Sequence, residues 1–210
     1  MMDKRLKPFR HKYYGAFLPA ANFVLDHEGW GRESDHPADL GDRTRFGISA
    51  RHHGQVPLTL ARALEIYFQD YWLPIKGESL PPLLNLALFD SAVLCGSRKA
   101  VQWLQLSINE WWQGWEMEEP GVDFGVSHNK LAVDGVVGPR TLAAVNEVMA
   151  ARDYDDRAYD YGHRYLINRI IWRRQIHHAK RVKLHPDQAN WIHGWTKRCA
   201  DLAKATWGKN

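Results

Sequence analysis

The sequence predicts a mainly α protein with one small β element. Three features of its 210 residues predict this. Apolar residues recur at helical spacing along most of the chain. Strict alternation is confined to one short run, TRFGIS. Gly and Pro punctuate the ends of the periodic segments.

Residues 14–28, YGAFLPAANFVLDHE, read as a helix, because Phe17, Ala21, Val24 and Glu28 fall on one stripe of a 3.6-residue period. Glu28 continues the apolar stripe with a carboxylate, and Gly29 suits the helix end. Residues 30–43, rich in Gly, Asp and Pro, read as a loop. Thr44, Phe46 and Ile48 then alternate with other residues and form the one convincing β segment. Residues 59–73 predict an amphipathic helix with Thr59 as N-cap. Leu60, Ala63, Leu64, Tyr67 and Tyr71 share one face, and Pro74 stops it. Residues 82–95 are apolar nearly all round, which marks a central, buried helix. Asp90 lies inside it, and a buried charge needs a partner. Gly96 ends that helix and Ser97 opens the next, over 98–112. Residues 113–129 break the pattern and read as an exposed loop or small hairpin. Helicity resumes at Pro139. Two longer helices are expected over 156–182 and 187–207.

Composition bounds the function. Hydrophobic residues make up 45% and charged residues 25%, as in a folded soluble domain. No apolar run suggests a membrane span, and the basic N-terminus lacks the apolar segment of a secretory signal. Synthesis in the cytoplasm is expected. Two cysteines, Cys95 and Cys199, make no disulfide framework and are expected as reduced thiols. No CxxC or HExxH occurs, so neither a metal site nor a cofactor is indicated. The net charge of +4 hides an asymmetry: residues 1–12 carry +4, residues 163–210 carry +9, and the centre carries −9. Basic ends suit an anionic polymer substrate, and they equally suit a solvated helix face. Nucleic acid is not an expected partner, since no binding motif or aromatic platform interrupts the basic helices.

Glu28, Asp39 and Thr44 are the candidate catalytic residues. Glycoside hydrolysis needs one carboxylic acid to protonate the leaving oxygen and a second polar group to activate water or stabilise the developing cation. A Glu against core residues at a helix C-terminus has its pKa pushed upward by burial and by the macrodipole. Asp39 and Thr44 follow on a loop and a strand that can converge with it. Arg43 and Arg45 flank Thr44 and could keep Asp39 ionised. On spacing alone, the three residues also fit an exposed helix-end Glu, a turn Asp and an ordinary strand Thr.

The run FVLDHEGWGRESDHPADLGDRTRFGIS resembles the signature of glycoside hydrolase family 108, which includes phage endolysins and bacterial muramidases. Glu28-Gly29, Pro37-Ala38-Asp39-Leu40-Gly41 and Thr44-x-Phe46-Gly47-Ile48-Ser49 carry the likeness. ALEIYFQDYWLPIKGESLP and LALFDSAVLCGSRKAVQWLQ continue it. VDGVVGPRTLAAV and WIHGWTKR resemble the peptidoglycan-binding region that follows in such proteins. Two additional residues between Gly29 and Asp39 leave Asp35 as a competitor for the second catalytic role.

The resemblance implies a lysozyme-like helical fold with its β element beside the catalytic Glu28. It also implies hydrolysis of the β-1,4 bond between N-acetylmuramic acid and N-acetylglucosamine. The expected organisation is a basic tail (1–12), a lysozyme-like catalytic region (13–109), an inserted loop or hairpin (110–130), and a helical peptidoglycan-binding-like region (131–207) packed on the catalytic part. Trp30, Tyr71 and Trp72 are the candidate sugar contacts, because indole and phenol faces stack on pyranose C–H surfaces. Trp111, Trp112 and Trp115 could extend a groove. A monomer is expected, acting on the cell wall and needing a holin or a secretion apparatus for delivery. The alternative expectation is a peptidoglycan-binding or secretion-accessory protein with a degenerate site.

Overall fold

A computed structural model of the chain describes residues 2–31, 33–34, 44–49, 58–118, 130–150 and 161–207. The described residues form a mainly α fold with three very short strands.

At its centre lies the helix whose sequence is apolar all round. Designated α3 (Leu84–Cys95), it buries Leu84, Ala87, Leu88, Phe89, Asp90, Ser91 and Ala92. A helix with no polar stripe must be covered on every side. Here the cover comes from α1 (Phe17–His27), α4 (Ser97–Glu118), α6 (Tyr161–Leu184) and α7 (Ile192–Trp207). The expected helix over 59–73 begins as α2 (Leu60–Ile66), where the Thr59 hydroxyl accepts from the Arg62 N–H at 3.2 Å. It then continues as a π-helical turn over Tyr67–Trp72. α5 (Pro139–Ala150) packs against α4 and α6.

The β element is an antiparallel sheet in the order β1 (Glu33–Ser34), β2 (Thr44–Arg45), β3 (Ile48–Ser49). The run read as one strand is therefore a hairpin. Arg45 pairs with Ile48 across a two-residue turn, Phe46-Gly47, with φ of 54° and 67°. Two successive positive φ angles are those of the turn type whose twist matches paired strands.

The structure adds detail to the basic N-terminal tail and changes one expectation. Lys4–Phe9 form a 3-10 turn capped by Asp3, and Leu6 is fully buried. The loop expected over 110–130 is helical as far as Glu118, and residues 119–129 lie outside the described set. The cause is apolar burial: Trp111 packs on Tyr161 and Tyr165 of α6, and Trp112 donates from its indole to Glu147 of α5. Both rings are buried, so neither extends a groove. The Trp115 side chain lies outside the described set.

The segment before α5 is tied down by side chains of α4. Asn109 exchanges two hydrogen bonds with the Leu131 backbone, and Gln105 holds Asp134 and Gly135. Cys95 and Cys199 are free thiols. Among the described residues, no helix is long and apolar enough to cross a membrane.

Candidate active site

Glu28 is the C-cap of α1, and its N–H donates to the Val24 carbonyl at 2.9 Å. The chain then reverses through Gly29, Trp30 and Gly31, all at positive φ. Glycine adopts this region without cost, whereas a tryptophan there is strained. Two contacts offset the strain at Trp30. Its indole N–H donates to Asp26 at 2.7 Å, and the Arg5 guanidinium stacks 3.7 Å from the ring centroid. The reversal brings Gly31 under the ring of Phe46, where a Cβ would fall 2.4 Å from Cζ.

The hairpin turn is thereby seated against α1. Tyr67 fixes it from the other side, its phenol donating to the Phe46 carbonyl at 2.5 Å. Gly47 lies directly against the Glu28 carboxylate. Burial, and then the nearby Glu28 charge, push the Tyr67 phenol well above its ordinary value, so it remains a donor. Tyr71 sits 6.1 Å from Tyr67, half-buried; burial, Asp70 and Glu28 raise it in turn.

The Glu28 side chain is 17% exposed. Its surround is not purely apolar as expected, because Arg198 of α7 donates from Nη1 to Glu28 Oε1 at 2.5 Å. Arg198 also donates from Nε and Nη2 to Asp90 Oδ1, at 2.9 and 2.7 Å. Arg174 of α6 donates to the other Asp90 oxygen. Glu28, Arg198, Asp90 and Arg174 thus form a chain of ion pairs from the partly exposed Glu28 carboxyl group into the core. Burial alone would raise the Asp90 carboxyl, but the two guanidinium groups outweigh it and hold it below the usual range. Burial likewise opposes the Arg198 charge, and Asp90 and Glu28 outweigh that.

Of the residues singled out from sequence, Glu28, the Thr44 strand and Tyr71 come together. Thr44 pairs with Ser34 and Ser49 in the strand that leads into the Phe46-Gly47 turn. Asp39, Asp35, Asp42 and Arg43 lie outside the described residues. Arg45 turns its Nε to the Gly31 carbonyl at 3.2 Å. Trp30 is half-buried, with Arg5 over its ring. Trp72 is a correction: it is fully buried, in edge contact with Phe17 and Phe89, and has no face left for a sugar.

Asp90 needed a partner and has two. Sequence reasoning did not find Arg198, Arg174, Tyr67 or Gly47 as parts of the site. A signal for the arginines exists: Arg174 continues the stripe Ile167, Ile170, Ile171, and Arg198 sits beside Cys199 and Leu202. A cation within an apolar stripe points to a buried anion.

Two family models match successive parts of the chain. Residues 21–96 match the family model described as Glycosyl hydrolase 108, and residues 99–200 match that described as Predicted Peptidoglycan domain. Among solved structures, the chain is similar to SagA of Brucella abortus at 27% identity and a TM-score of 0.63. That match covers 92% of this chain and 95% of SagA. No curated protein matches the sequence.

Proposed function

For a chain that joins a glycosyl hydrolase 108 region to a predicted peptidoglycan domain, we propose lysozyme-type chemistry: hydrolysis of the β-1,4 bond between N-acetylmuramic acid and N-acetylglucosamine. The coarser statement, a peptidoglycan-directed glycoside hydrolase of the cell wall, follows from the two regions. The observation that carries the finer one is the setting of Glu28. Its carboxyl group is shielded at a helix end and held between a cation and a hairpin turn.

In this reading Glu28 is the general acid. Arg198 takes Oε1, which leaves Oε2, on the hairpin side, to carry the proton. As the C1–O bond of the muramic acid residue breaks, that proton passes to the bridging oxygen, and the electron pair of the bond leaves with it. A water then adds to the anomeric carbon and gives up a proton to a base. Asp39, in the segment between β1 and β2, orients or deprotonates that water, with Asp35 as the competing carboxylate. The Thr44 hydroxyl fixes the water's position. Trp30 and Tyr71 contact the glycan. The enzyme works as a monomer and reaches the wall through a holin or a secretion apparatus.

Product analysis tests the proposal. Purified peptidoglycan digested by the protein should yield fragments with new reducing-end N-acetylmuramic acid, seen by borohydride reduction and mass spectrometry. New free amines without new reducing ends would mean amide cleavage and would overturn it.

A further inference from the structure

The boundary between the two matched regions falls between α3 and α4, yet the charged chain at Glu28 crosses it. Glu28 and Asp90 lie in residues 21–96, whereas Arg174 and Arg198 lie in residues 99–200. We propose that Arg198 is a positioning residue for Glu28, so that the second region completes the catalytic site as well as holding peptidoglycan. The inference rests on the reading of Glu28 as proton donor.

The geometry argues against a purely structural Arg198. Asp90 is wholly buried and already has a cation on Oδ2 from Arg174. Arg198 uses Nε and Nη2 on Oδ1, which anchors the guanidinium plane. That anchoring aims Nη1 at Glu28 Oε1. A planar guanidinium can clamp one carboxylate with two donors while a third reaches another, and an ammonium cannot hold both in this way. The Arg198 side chain is only 6% exposed. Taking such a charge out of water is costly unless its donors are used. Here three donors are used, and one of them is spent on Glu28.

The consequence for the reaction is orientational. Pinned at Oε1, Glu28 cannot swing away from the hairpin, and Oε2 stays on the side of Gly47 and the Thr44 strand. Misplacement of a reacting group by about 1 Å costs on the order of a hundred-fold in rate. The other charged and titratable groups around Glu28 are few among the described residues. Tyr67 and Tyr71 face it from the π-helical turn, Asp90 stands behind Arg198 on α3, and His27 turns toward Asp201 of α7.

The test uses the full chain with Arg198→Lys, Arg198→Gln, and Arg198→Gln combined with Asp90→Asn, the last keeping the net charge of the buried cluster while Arg174 loses its Asp90 partner. Each is scored for folding by thermal unfolding, then for kcat and KM on soluble glycan fragments. In the folded variants kcat should fall about ten-fold or more while KM stays within about two-fold. An unchanged kcat in a folded variant would overturn the proposal. If the wild-type protein releases no reducing ends, the muramidase reading has failed by itself. The Arg198 contact is then judged by the crystal structure of Arg198→Gln: a Glu28 carboxyl group turned away from Gly47 supports it, and an unmoved carboxyl group overturns it.

Discussion

A Cβ placed on Gly47 would lie 2.1 Å from Oε2 of Glu28. The hairpin turn can therefore approach the carboxyl group only because that residue has no side chain, and its φ of 67° adds a second reason for glycine.

Gly47→Ala should accordingly displace either the turn or the carboxyl group. The expected outcome is a folded protein weakened by about 1–3 kcal/mol, with activity on peptidoglycan reduced about a hundred-fold. Chemical unfolding and a turbidity assay read the two effects. Full activity in the alanine variant would show that the carboxyl group tolerates the hairpin elsewhere.

Tyr67→Phe removes the phenol that holds the Phe46 carbonyl and leaves a buried acceptor unpaired. We expect a stability loss of about 1–3 kcal/mol. Because the turn it fixes carries Gly47, kcat should drop more than KM rises. A variant with lowered stability and wild-type kcat would confine Tyr67 to a structural role.

Trp72 and Tyr71 were read from sequence as a pair of sugar contacts, and the structure separates them. The reason is the π-helical turn. The Leu73 N–H bonds to Phe68, five residues back, so the turn is wider than the 3.6-residue period assumed for the helix. The phase slips by about one position, and Trp72 rather than Tyr71 points into the core. Trp72→Leu should thus cost a few kcal/mol in stability, by cavity formation, without changing KM of the folded protein. Tyr71→Ala should raise KM several-fold. The reverse pattern would reinstate Trp72 as a contact.

His178 provides a pH signature. Burial first, with Arg174 and neighbouring cations, pushes its imidazole down to about 3 from the ordinary 6.5. The unfolded chain therefore binds a proton there before the folded one does as pH falls. Its contribution to stability is complete above the unfolded value and is lost at ~1.4 kcal/mol per pH unit between the two. His178 stacks on Trp195 with centroids 4.6 Å apart. His178→Phe keeps that stacking and removes the proton site. Between pH 7.5 and 5.0 the wild type should lose ~2 kcal/mol more than the variant by urea unfolding. Equal losses in the two proteins would contradict the assignment.

Local chemistry made much of this architecture readable in advance. The uniform apolarity of residues 82–95 marked the central helix. Thr59, Pro139 and Gly29 marked helix ends, and Glu28 at the end of an apolar stripe marked the candidate site. Asp90 announced that it needed a partner but not which one. Arg174 and Arg198 lie 84 and 108 residues away, and no local pattern encodes a pairing at that distance. The loop expected from 113 is helical to Glu118 because the neighbouring Trp111 and Trp112 are buried by α5 and α6, a tertiary effect that composition alone does not show.

Replacement of Glu28 by Gln is the most direct measurement. The amide is nearly isosteric and can still accept from Arg198 through its oxygen, so the thermal midpoint should stay close to that of the wild type. Release of reducing ends from purified peptidoglycan should fall by at least about a hundred-fold, because the amide has no proton to give to the glycosidic oxygen. A folded Glu28→Gln protein that cuts glycan strands at the wild-type rate would contradict the account.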